Sequence, residues 1–221
     1  MIIILLVVII ILIISFFLTY NDIISGGVDD LNMTYDTLKK NVENANVVLL
    51  TGRSCVGKSY IGHKLEKDTG YKYISVDDII FEMSKTHPDG IALFQLYGEK
   101  EVYPKERGQM ITAIKELITK HKKIIIDGMI RPRDIGPIGI DLVIYIEPKN
   151  WKKYPKAIKE RYEKDIANGT KTLGVLWRVI GDSDISKKEL DKIISEVADK
   201  QQKYSEKLKD QYRGLLYKNA L

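Results

Sequence analysis

The chain has 221 residues, 44% hydrophobic and 29% charged, ordinary globular values that exclude a largely disordered protein. Its single cysteine excludes an internal disulfide framework and a cysteine-rich zinc site, and its three histidines, His63, His87 and His121, show no ligand spacing. The net charge of +5 points to an anionic partner without naming it.

Met1 to Leu18 carries no charge, and Ser15 is its only polar side chain. As a helix rising ~1.5 Å per residue it would span roughly 27 Å, close to the ~30 Å hydrocarbon core of a bilayer. The expectation is a single membrane span over 1–18, with Thr19 and Tyr20 at the interface. No basic region precedes the run and no small-residue cleavage site follows it, which argues against a signal peptide. Lys39 and Lys40 lie too far along the chain to set an orientation, and a start at Met33 would give a soluble protein. Residues 19–45 hold Asp22, Asp29, Asp30, Asp36 and Glu43 against those two lysines, a net of −3, and are expected to be an acidic tether jointed at Gly26-Gly27. The leader is neutral, so the basic character, +8, belongs to 46–221.

From Asn46 onward strand and helix patterns alternate. Asn46–Thr51 is a short apolar run, the pattern of a buried strand, followed by a helix from Lys58 to about Lys67. Tyr71–Val76 is a second strand. Glu101–His121 is helical, with Ile111, Ile114, Leu117 and Ile118 on one face. Lys123–Asp127 and Asp141–Glu147 are strands, Trp151–Ala167 and Lys187–Asp210 helices, and Gly214–Lys218 a last strand. This alternation predicts an α/β fold, a three-layer sandwich around a five-stranded parallel sheet.

The strongest motif sits between the first strand and helix. Gly52-Arg53-Ser54-Cys55-Val56-Gly57-Lys58-Ser59 matches G-x-x-x-x-G-K-[ST], a phosphate-binding loop. Its glycines let the backbone curl so that successive N–H groups face phosphate oxygens, and the helix terminus adds positive potential. Lys58 is the cation for the β/γ-phosphates, and Ser59 a ligand for Mg²⁺. Cys55 reads as a small residue that fits the loop.

Three further groups fall where ligands bind a parallel sheet, beyond the carboxyl ends of its strands. Asp77 and Asp78 follow the second strand; a carboxylate there can take a proton from an acceptor hydroxyl, and Asp77 is the first choice. Asp127 ends the strand Lys123–Asp127 in the Walker-B manner and pairs with Ser59 as a metal site. Arg131 and Arg133 follow in GMIRPRD, where guanidinium groups suit phosphate or carboxylate. In the basic stretch 149–178, Arg161 and Arg178 are candidates to close over the site and balance transferring charge.

Over roughly 46–221 these motifs resemble the P-loop small-molecule kinases, which include shikimate kinase, chloramphenicol phosphotransferase and the adenylate-kinase-like nucleotide kinases. GRSCVGKS is similar to the family's nucleotide loop. ISVDDII is similar to the segment in which the aspartate matching Asp77 acts as base, and IIIDGMIR to the segment in which the arginine matching Arg131 grips an acceptor phosphate. The resemblance implies a lid over about 150–185 and an adenine pocket close to Asn219. Ser75 stands where shikimate kinase has an earlier aspartate, and Met129-Ile130 replaces the Phe-Pro of adenylate kinases.

The expected activity is ATP- and Mg²⁺-dependent transfer of the γ-phosphoryl group to a small anionic or nucleoside-like acceptor. The expected location is a membrane, with the kinase domain on the cytoplasmic side. The competing reading is a membrane-tethered ATPase or nucleotide-binding module with no diffusible acceptor; nucleic-acid binding ranks last, because the tyrosines are scattered rather than interleaved with a basic stripe.

Overall fold

The computed structural model describes residues 28–29, 33–85, 104–168 and 185–220. The expected span at 1–18, Arg178 and the part of the expected lid over 169–184 lie outside these residues. Among the described residues, no helix is long and apolar enough to cross a membrane.

The elements follow in the order β1 (Val28–Asp29), α1 (Tyr35–Glu43), β2 (Val47–Thr51), α2 (Lys58–Thr69), β3 (Lys72–Ser75), α3 (Val76–Lys85), α4 (Pro104–His121), β4 (Ile124–Asp127), α5 (Pro132–Ile138), β5 (Leu142–Pro148), a 3₁₀ turn at Trp151–Lys153, α6 (Tyr154–Ala167), α7 (Lys187–Lys209) and β6 (Gly214–Asn219). All strand pairs are parallel, in the order β1-β6-β5-β2-β4-β3. This is a parallel α/β arrangement with the G-x-x-x-x-G-K-S loop at the end of a central strand. The sheet has one strand more than expected, because the two-residue β1 pairs with β6 at the edge.

Alternation along the strands builds the three layers. Val48 and Leu50 of β2 face a core with Ile61 and Leu65 of α2, Tyr154 and Ile158 of α6, and Ile194 and Val197 of α7. Val47 and Leu49 face the opposite core, with Ile80 of α3, Met110 and Ile114 of α4, and Ile138 of α5. Strands buried on both faces need continuous apolar runs, which VVLL and III supply. The long α7 serves both layers, adding Leu208 to the second. A capping box starts it: Ser186 Oγ accepts from Glu189 N at 3.3 Å, and Glu189 Oε2 accepts from Ser186 N at 3.0 Å.

The acidic tether expected over 19–45 is in part folded structure. Thr34 caps α1, accepting from Thr37 N at 3.2 Å. Leu38 and Val42, one turn apart, are fully buried in the first core. Tyr71 Oη lies 2.9 Å from the Val42 carbonyl and 2.6 Å from that of Ala45, so the end of α1 is tied to the approach of β3. The helix was masked by its charge: two apolar positions suffice to dock a nine-residue helix whose outer face is polar.

Candidate active site

The loop begins where β2 runs out. Gly52 has φ +135°, and a Cβ on it would lie 2.3 Å from the Ile146 carbonyl oxygen of β5, so no side chain is tolerated. Cys55 at φ 63° and Gly57 at φ 90° are also left-handed, and the chain turns through them into α2.

The loop's own lysine and two side chains from distant parts of the sequence then take its carbonyl groups in turn. Lys58 Nζ donates to Arg53 O at 3.0 Å, Tyr154 Oη to Ser54 O at 2.6 Å, and Asn219 Nδ2 to Val56 O at 3.0 Å. Carbonyls held in this way cannot turn toward an incoming anion. Tyr154 is buried, and burial raises its hydroxyl pKa above the ordinary phenol value, so it stays a donor. Trp151 meets it edge-on, with ring centroids 5.0 Å apart.

Two residues expected at the nucleotide, Arg53 and Asn219, also have partners within the fold. Arg53 was expected at the nucleotide; its guanidinium bonds to Gln201 through Nε and lies 4.7 Å over the Tyr204 ring, which ties the loop to α7. Asn219, expected beside an adenine pocket, is buried beneath the loop and supports Val56. Under the same edge, Ser205 Oγ donates to Glu147 Oε1 at 3.0 Å and lies 3.1 Å from Tyr145 Oη, whose pKa burial pushes up to about 12.

The two residues expected to form a metal pair, Ser59 and Asp127, lie side by side. Ser59 Oγ donates to Asp127 Oδ2 at 2.7 Å, across 68 residues of sequence. Asp127 is buried at the carboxyl end of β4, in register with Ser75 of β3. A hydroxyl and a carboxylate are hard oxygen donors, the chemistry Mg²⁺ takes alongside waters and phosphate oxygens, so the residues present fit that ion. Sequence reasoning missed a third member: Tyr73 Oη donates to the same Asp127 Oδ2 at 2.8 Å. Burial first, and the Asp127 charge second, raise the Tyr73 pKa above its ordinary value.

The remaining candidates gather at the same end of the sheet. Asp77 and Asp78 lie exposed in the first turn of α3, where Ser75 Oγ accepts from Asp78 N at 3.3 Å. The Asp78 charge adds to the rise in the Tyr73 pKa. Arg131 is the extended residue that precedes α5, and Arg133 is exposed in its first turn. On α6, Arg161 Nε donates to Asp165 Oδ1 at 2.8 Å, and its charge reaches Cys55 in the loop. Cys55 is held above its usual pKa by burial, against the opposing pull of Arg161 and Lys58.

No protein-family model matches the chain, and no curated protein matches it. Among solved structures, the chain is similar to a shikimate kinase from Acinetobacter baumannii in complex with shikimate, at 12% identity over 83% of this chain and 88% of that one, with a TM-score of 0.44.

Proposed function

We propose that this chain is an ATP- and Mg²⁺-dependent phosphotransferase that acts on a small, anionic or nucleoside-like acceptor. The observation that carries the reading is the Ser59 hydroxyl, the last residue of a complete G-x-x-x-x-G-K-S loop at the carboxyl edge of a parallel sheet, bonded at 2.7 Å to the Asp127 carboxylate.

Each residue has a part in this reading. The amides of 53–59 and the start of α2 receive the phosphates, and Lys58 neutralises the β/γ end. Ser59 and Asp127 hold Mg²⁺, which when bound supplies charge compensation to the phosphate oxygens. Asp77 orients the acceptor hydroxyl and takes its proton, with Asp78 alongside. Arg131 and Arg133 bind an anionic group on the acceptor, and Arg161 balances charge from the α6 side, with Arg178 as its partner in the lid. Transfer then rests on positioning and charge neutralisation rather than on a covalent enzyme intermediate. The apolar run 1–18 supports, within the same reading, a single membrane span with the catalytic domain on the cytosolic side, where ATP is available.

The test is a phosphotransfer screen of the full chain in detergent, with ATP, Mg²⁺ and a panel of nucleosides, nucleotides and small alcohols. Acceptor-dependent turnover is expected, lost in Lys58→Ala and at least about a hundredfold reduced in Asp77→Asn. Hydrolysis indifferent to every acceptor would favour the ATPase reading. Turnover that survives both substitutions refutes the assignment.

A further inference from the structure

Two hydroxyl groups converge on one oxygen of Asp127. Ser59 Oγ reaches Oδ2 at 2.7 Å from α2, and Tyr73 Oη reaches it at 2.8 Å from β3. They are not equivalent. In the reading above, Ser59 also serves the cation, which its oxygen would meet through a lone pair while the O–H still faces the carboxylate. The tyrosine has no part toward the cation in that reading, and its surroundings on β3 and α2 fix it in place.

Tyr73 pairs in register with Ile125, two residues short of Asp127 on the neighbouring strand. Side chains two residues apart on a strand share a face, so the length of a tyrosine spans the interval from below. Its ring lies over Gly62 of α2: a Cβ at that position would stand 2.3 Å from Tyr73 Cε2. The His63 ring packs beside it with centroids 4.2 Å apart, and Glu66 Oε1 accepts from the Tyr73 amide at 3.0 Å. A glycine in the second turn of a helix costs about 1 kcal/mol against alanine, and here it opens the slot through which the phenol reaches the acid.

We infer that Tyr73 is a positioning residue for the metal site, holding Asp127 Oδ2 in place from β3 while Ser59 serves the cation. The inference rests on the assignment of Ser59 and Asp127 as the Mg²⁺ pair. Groups that orient a ligating carboxylate commonly influence metal affinity about 10–100-fold. A phenol that fixes the acid from β3 acts on metal binding, and it leaves metal-free nucleotide binding alone.

The experiment is calorimetric titration of ADP into the full chain in detergent, at graded Mg²⁺ and in EDTA, for wild type, Tyr73→Phe and Asp127→Asn. Phenylalanine keeps the ring on Gly62 and deletes only the hydroxyl. In Tyr73→Phe, the Mg²⁺ concentration that half-saturates the gain in ADP affinity should rise about tenfold, while affinity in EDTA stays within about twofold. A merely structural role would shift both affinities together and lower the melting temperature. Gly62→Ala, which drives the ring aside without removing its hydroxyl, should raise the Mg²⁺ requirement in the same direction. An unchanged Mg²⁺ requirement in Tyr73→Phe, with Asp127→Asn losing the metal effect, overturns the role of Tyr73 and leaves the metal pair standing. If Asp127→Asn keeps the wild-type Mg²⁺ response, the metal pair itself is refuted and this inference falls with it.

Discussion

The loop at 52–59 and the helix at 35–43 are tied to the molecule in similar ways, yet only one of them announces itself in the sequence. The loop is a motif because its chemistry is written in eight consecutive residues. Helix α1 carries mostly polar residues, and its attachment is written elsewhere, in Tyr71, Asp68 and the core it enters. Tyr35 Oη donates to Asp68 Oδ2 at 2.8 Å, and the Lys64 ammonium sits 3.6 Å over the Tyr35 ring. The lesson is that a chemical motif marks where a ligand meets the chain, and says little about where the fold that presents it begins.

Truncation breaks this comparison most sharply. A chain that starts at Met33 keeps α1 and should melt cooperatively in a thermal scan. A chain that starts at Asn46 loses Leu38 and Val42 and leaves the Tyr71 hydroxyl without its two carbonyls, and it should not give a cooperative transition. The point substitution Leu38→Ala, in the full chain, should cost about 2–5 kcal/mol by denaturant titration. Equal melting of the two truncations would return 33–45 to the status of a tether.

A smaller effect is expected at the loop. Tyr154→Phe removes one hydroxyl and leaves the Ser54 carbonyl without that donor, a change worth about 1–3 kcal/mol. Part of that loss should appear as weaker ADP binding, because the loop is then free to turn a carbonyl toward the phosphates. If stability falls and ADP affinity does not, the bond supports the fold without shaping the site.

The smallest effect is a pH dependence at Cys55. Its thiol pKa is raised above the ordinary 9.0, so the folded protein holds the proton more tightly than the unfolded chain does. That contribution to stability is complete below pH 9.0 and is lost as pH climbs through the folded value. Cys55→Ala should therefore flatten the alkaline limb of the stability profile. Iodoacetamide should label wild type at neutral pH more slowly than it labels a denatured control. Faster labelling than in the control would show that Arg161 and Lys58 outweigh burial.

How much was legible follows the same division. The parallel sheet, its helices and the Ser59–Asp127 pair could be read from local patterns, since apolar runs, a glycine-lysine loop and an acid at a strand end are each signals within a few residues. The residues that hold the site could not. Tyr73 is separated from Asp127 by 54 residues, Tyr154 from Ser54 by 100, and Asn219 from Val56 by 163. A tyrosine in a strand is common, and only the register of β3 on β4 shows which acid it reaches. Helix α5 was missed because PRDIGPI is short and holds a second proline, although Pro132 at its start and Gly139 at its end are a helix's usual boundaries.

The two-residue strand β1 has a consequence for how the molecule can be held. Val28 pairs with Gly214, at the opposite end of the sheet from the phosphate loop, and β1 runs parallel to its neighbour. The amino end of β1 therefore lies at the pole of the sheet opposite the phosphate loop. Nine residues lie between Leu18 and Val28, a reach of at most about 30 Å. A support fixed at Val28 would act as a handle on that pole, with the loop at 52–59 facing away from it.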